Sequence, residues 1–275
     1  MITKQLPLLL FVFVFGTLSA QVSINWQTEA ILDVPESVKY YAEGNYLFVS
    51  NISGKPAEKN GNGFISKLSL KGEIMTLKWV EGLDAPKGMA IKDGILYVTD
   101  IDDLVLIDIA KGKIIKRFHQ DKANFLNDVT ITHLGDVLVS DSGTSTVFIL
   151  KDNNLDVWLQ NDEFGRVNGL FTEKDYILLG TATSIVKIDV ATKQYSVFLE
   201  TGGQPDGLLS DGEGGYYYSF WQGELFHYTP GHAPVQLLNT SVKGVQTADF
   251  GFNPHTKEIL VPNFFSNQVV SYTMN

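Results

Sequence analysis

The chain has 275 residues, of which 44% are apolar and 19% charged, a balance ordinary for a globular protein, for which disorder is not the default, and a length sufficient to bury a full core. Its formal charge is −10, with 21 Lys and Arg scattered among 31 Asp and Glu; no nucleic acid is expected as a partner, because neutralising phosphates takes clustered cations. There are no cysteines, so disulfides, thiolate metal sites and cysteine nucleophiles are excluded.

Residues 1–20 read as a secretory signal peptide: Lys4 supplies a positive start, Leu8 to Phe15 is an unbroken apolar run, and Leu18-Ser19-Ala20 ends on a small residue. The run is short for a bilayer span. Cleavage is therefore favoured over anchoring, and the mature chain 21–275 is expected to be exported, periplasmic or extracellular, with no stable membrane insertion. The β-rich segment "VSINWQTE", 22–29, follows without an adjacent partner in the sequence.

From there the chain repeats. The strings "LFVSN" (47–51), "LYVTD" (96–100), "VLVSD" (137–141), "ILLGT" (177–181), "YYYSF" (216–220) and "ILVPN" (259–263) are versions of one strand, and behind each of the last five lies a second β-rich string such as "STVFILKD" or "SIVKIDVA". Outer strands such as "DVWLQ" and "YSVFLE" follow in several units, and no window carries a convincing amphipathic helix. Four short strands in each unit of about forty residues predict an all-β, six-bladed β-propeller. The sixth unit lacks its outer strand, so 22–29 is expected to pair there and close the ring.

Nine to eleven residues before each repeated strand stands a polar residue: Glu36, Lys87, Asn127, Asn168, Asp206 and Asp249. These are expected to begin the innermost strands and to form a ring near one rim of the central channel. Asn and Asp are also common at turn exits for backbone reasons alone. Glu36, Asn127, Asn168 and Asp206 together, however, offer hard oxygen donors and two negative charges, a set suited to Ca²⁺ or another hard divalent cation. The five histidines form no zinc motif.

The motifs "VPESV", "FLNDV", "RVNGL" and "QPDGL", in this order in separate blades, resemble those of the senescence marker protein/gluconolactonase/luciferin-regenerating-enzyme group, with the paraoxonases as more distant relatives. The resemblance covers essentially the whole mature chain. It implies that Glu36, Asn168 and Asp206 are core ligands of a divalent cation, that Asn127 contacts metal or substrate, and that Asp206 is the general base, with Asp249 an alternative on position. It further implies hydrolysis of a small-molecule lactone or ester. Sugar-lactone hydrolases of the group often carry Arg where this chain has Phe125, a difference that points away from a sugar. Lys87 is read either as a channel salt bridge or as a contact for a substrate carboxylate.

The long segment "NISGKPAEKNGNG" between Asn51 and Gly63 is a candidate lid. Phe220, Trp221, Phe264 and Phe265 are expected either to wall the substrate pocket or to pack between blades. The competing readings of the whole are a non-catalytic propeller that binds a ligand or protein, and a propeller lyase or synthase.

Overall fold

The computed structural model describes residues 22–274; the signal segment expected over 1–20 lies outside them. Six four-stranded antiparallel sheets follow one another along the chain, and no described helix is long and apolar enough to cross a membrane. The only helical elements among the described residues are the 3-10 turns Asp162–Phe164, Ser241–Lys243 and Phe264–Ser266. The last blade is completed by Val22–Gln27, which pairs antiparallel with Gln268–Met274 from Val22 opposite Met274 to Gln27 opposite Val270. Thr28 extends that seam, its N–H donating to the Val269 carbonyl at 2.9 Å.

The repeated strings are almost wholly apolar because each forms the second strand of a blade, buried on both faces. Side chains alternate along a strand, so successive residues enter different inter-blade cores. Leu47 and Val49 pack with Leu260 and Val269 of the last blade, while Phe48 between them packs with Met89 and Val98 of the second. Likewise Val137 and Val139 join the core between blades two and three, and Leu138 joins the core between three and four. The remaining two interfaces are filled around Tyr218 and around Tyr217. The burial that holds each sheet is thus shared with its neighbours.

The polar ends of the same strings hold the loops that enter the inner strands. In blade three the Asp141 carboxylate is completely buried and accepts four backbone N–H groups, from Asn124 at 2.7 Å, Phe125 at 3.2 Å, Gly143 at 2.7 Å and Thr144 at 3.0 Å. In blade two Asp100 accepts from Asp84 and Ala85 and is backed by Arg117 at 3.2 Å. In blade one Asn51 accepts from Asp33. The hydroxyl one residue earlier serves the inner strand itself: Ser140 Oγ accepts from Asp128 N–H and Ser50 Oγ from Ser37 N–H, each at 3.0 Å.

The Asp141 cap makes a direct prediction. Asp141→Ala leaves four N–H donors without their buried acceptor and is expected to destabilise the protein by about 3 kcal/mol, read as a lowered urea midpoint with unchanged m-value. Asp141→Asn keeps a single acceptor oxygen and is expected to fall between the two.

Candidate functional site

In blades one to three the ring residue is the second residue of the inner strand, Pro35–Tyr41, Pro86–Lys92 or Leu126–Ile131. The pairing register shifts there, between Pro35 and Ser37, Pro86 and Met89, and Leu126 and Val129. Such a bulge turns a side chain that would otherwise enter the inter-blade core. In blades four to six the ring residue stands two places before a three-residue strand, at Leu170–Thr172, Leu208–Ser210 and Gly251–Asn253. Backbone bonds hold it: Asn168 N–H donates to Gly180 O at 2.9 Å, Asp206 N–H to Ser219 O at 2.8 Å and Asp249 N–H to Glu36 O at 2.9 Å.

The glycines of Asn168-Gly169 and Asp206-Gly207 answer to crowding near the axis rather than to a turn. Neither has a positive φ. A Cβ on Gly169 would collide with the Asp206 carbonyl oxygen, and one on Gly207 would lie 2.7 Å from Cδ1 of Phe250 in the next blade. Where the third blade has Asp128 instead, that carboxylate accepts from Leu170 N–H of the fourth blade at 2.6 Å and clamps the two inner strands together.

Five ring residues, Glu36, Lys87, Asn127, Asn168 and Asp206, line one cavity of about 250 Å³. All five are buried. Asn168 Nδ2 donates to Asp206 Oδ1. Asn127 Nδ2 donates to Ser142 Oγ at 3.1 Å, and that hydroxyl spends its own proton on the Val167 carbonyl at 2.5 Å. Both amide nitrogens are therefore committed to protein acceptors, which leaves the two amide oxygens as donors for a ligand. Among the described residues, Glu36 Oε2 and Asp206 Oδ2 are the only carboxylate oxygens that are buried without a hydrogen-bond partner, and both belong to this cavity. An oxygen-only set with two orphaned carboxylate atoms is what a hard cation requires.

The charges are strained by burial. Asp206 is pushed up to about 7, by desolvation first and then by the charge of Asp249. Glu36 is raised well above the usual carboxylate range by desolvation and by Asp206. Lys87 is lowered to about 8, desolvation outweighing the pull of Glu36.

The salt-bridge reading of Lys87 is not met. Among the described residues, no carboxylate lies within ion-pair distance of its ammonium. Its Nζ donates to the Ala85 carbonyl at 2.8 Å and sits 4.4 Å from the centroid of the Phe125 ring. Asp249 stands apart from the other five. It lines the opposite mouth of the channel with Asp128, Lys39 and Tyr40, and its Oδ2 accepts from Ser37 Oγ at 2.5 Å.

Of the four aromatics, Trp221 and Phe264 line the cavity with rings 5.5 Å apart. Phe265 lies outside it, edge-on to Phe264 and 61% exposed. Phe220 packs between blades four and five, against Tyr218 and Phe226. The candidate lid contributes Ile52 and Pro56 to the cavity wall. It is fastened by the Lys59–Asp102 ion pair and by Gly61 N–H donating to Asp84 Oδ1 at 2.9 Å. Arg166, Gln204 and Gln222 complete the lining and were not singled out from sequence. A signal for two of them was present: Phe125, Arg166 and Gln204 each stand two residues before a ring residue.

No family model matches the chain, and no curated protein matches it in sequence. Solved structures do match. The chain is similar to a streptogramin B lyase, with a TM-score of 0.66 over 92% of this chain and 97% of the other at 9% identity. It is also similar to a catalytically inactive histidine-to-alanine variant of virginiamycin B lyase from Staphylococcus aureus with quinupristin, with a TM-score of 0.61 over 92% and 99% of the chains at 12% identity. The WD40 β-propeller domain of Doa1 matches with a TM-score of 0.64 over 87% of this chain and 78% of the other, at 12% identity. At such identities the likeness concerns the fold: the chain is a six-bladed β-propeller whose outer strand in the last blade comes from its N-terminal segment.

Proposed function

We propose that the protein is a hydrolase of a small lactone or ester that works with a hard divalent cation, most simply Ca²⁺, held by Glu36, Asn127, Asn168 and Asp206. The observation that carries the reading is the pair of orphaned carboxylate oxygens, Glu36 Oε2 and Asp206 Oδ2, in one cavity with two amide oxygens and no histidine. When bound, the cation would polarise the substrate carbonyl and stabilise negative charge on its oxygen.

The chain's own groups do the rest. Asp206 is the cavity carboxylate that would take a proton from water. The water oxygen bonds to the carbonyl carbon, the carbon–oxygen ester bond breaks, and the released alkoxide oxygen takes up the proton that Asp206 had accepted. Asn168 fixes the Asp206 carboxylate through its Oδ1. Trp221, Phe264, Ile52 and Pro56 give the cavity an apolar wall that limits competing water. Asp249 is poorly placed as a base because it lines the other mouth. The lyase reading has weaker support: the lyase variant described as inactive has lost a histidine, and none of this chain's five histidines lines the cavity.

Asp206→Asn keeps the shape and one oxygen donor while removing the charge and the base. Weaker Ca²⁺ binding by calorimetry is expected, with turnover of an aryl ester or lactone panel falling on the order of a hundredfold or more and the circular dichroism unchanged. A wild type that binds no divalent cation and hydrolyses nothing in the panel would leave a ligand-binding propeller.

A second expectation concerns pH. Asp206 and Asp249 are raised to about 7 and about 6, above their unfolded values near 4, so between these limits the native state holds more protons than the unfolded one. Stability must then fall as pH rises from about 4 to about 7. Thermal unfolding in chelator is expected to give a lower Tm at pH 8 than at pH 5, and saturating Ca²⁺ is expected to reverse that order. The same Tm at both pH values in chelator would contradict this account.

A further inference from the structure

Arg166 is the one exposed cation on the cavity wall. Its guanidinium makes no hydrogen bond and no ion pair among the described residues. Asp206 feels its charge yet lies beyond ion-pair distance, and one oxygen of that carboxylate is already bound by Asn168. The contact Arg166 does make is with a ring face: its Cζ lies 5.9 Å from the centroid of Phe125. An aromatic surface of this kind steadies the guanidinium plane without using its N–H groups, which remain free for a carboxylate.

Lys87 approaches the same ring from within, at 4.4 Å, with Ala85 O as its one hydrogen-bond acceptor. Phe125 therefore carries a buried ammonium and an exposed guanidinium, neither neutralised by a direct ion pair. Gln204 and Gln222 add polar amides to the lining. The depth ordering is clear, because Glu36, Asn127, Asn168 and Asp206 are buried while Arg166 is exposed. A substrate whose reacting carbonyl meets the buried carboxylates and amides extends its other end toward Arg166. The cavity, at about 250 Å³, sits at the small end of the range for ligand sites of about 300–1,000 Å³, which favours a short molecule.

We infer that the site selects short esters or lactones that carry a carboxylate at the end remote from the reacting carbonyl, and that Arg166, braced on Phe125, is the residue that recognises it. This rests on the hydrolase reading above and goes beyond it in naming the substrate class and the selecting residue.

The test compares a matched pair, mono-p-nitrophenyl glutarate and p-nitrophenyl butanoate, in saturating Ca²⁺ with wild type, Arg166→Gln and Arg166→Lys. Wild type is expected to prefer the anionic ester by tenfold or more in kcat/KM, mainly through KM. That ratio is expected to collapse toward one in Arg166→Gln and to recover in part in Arg166→Lys. If Arg166 only tunes the charge of Asp206, both esters change together and the ratio stays as in wild type; that result overturns the inference. Should neither ester be hydrolysed, the hydrolase reading fails, and binding still decides the role of Arg166. Titrations with glutarate and butanoate, followed by the fluorescence of Trp221 with Trp221→Phe as the blank, should show tighter glutarate binding that is lost in Arg166→Gln. Equal binding of the two acids by wild type would sink the assignment.

Discussion

A buried side chain that accepts backbone N–H groups at the end of each of the first three second strands is the interaction on which the site depends. A propeller places its inner strands by packing, but packing is non-directional and leaves the entering loops free. Asn51, Asp100 and Asp141 remove that freedom. Asp141 alone joins the loop before Asn127 to the loop after its own strand. The hydroxyls of Ser50 and Ser140 take the inner-strand N–H groups beside the bulges. The bulge can then aim Glu36 and Asn127 at the cavity while the next N–H group, of Ser37 or Asp128, keeps an acceptor.

The geometry that assembles the site also concentrates charge at a cost. Glu36, Asp128, Asp206 and Asp249 are all held above the ordinary carboxylate range, each first by burial. Asp128 offsets part of this by accepting from Val129 and Leu170 N–H groups, and Asp249 by accepting from Ser37. Glu36 and Asp206 each keep one oxygen with no such compensation. Among the described residues no other carboxylate oxygen is buried without a partner, and such uncompensated charge costs stability.

Much of this was legible in the sequence, for identifiable reasons. Strands buried on both faces read as continuous apolar strings, and their Ser-Asp and Thr-Asp endings recur because the same caps are needed in successive blades. Spacing from those strings located the ring, since the hairpins between first and second strands are short. The resemblance stated for "FLNDV", "RVNGL" and "QPDGL" added expected roles to positions the spacing had already marked. What spacing could not reveal is which way a ring residue points: Asp249 occupies the sixth equivalent place yet faces the far mouth. Nor could it show that the residue after Asn168 or Asp206 is glycine because the next blade presses on it. Arg166 escaped because its one signal, a place two residues before a ring residue, gives it no role until the fold sets it beside Phe125, 41 residues earlier in the chain.

The seam between Val22–Gln27 and Gln268–Met274 also sets an order of events. Val22 and Met274 are neighbours in the ring and almost the full described chain apart in sequence, so the last blade cannot be completed until Gln268–Met274 is available. Until that moment two strand edges and two blade faces stay open, one set at each end of the growing stack, and both are competent to pair with another chain. Contacts of such sequence separation form slowly. The closed ring therefore behaves as a latch that is set once, late and all together, and the risk of misassembly is confined to the interval before it shuts.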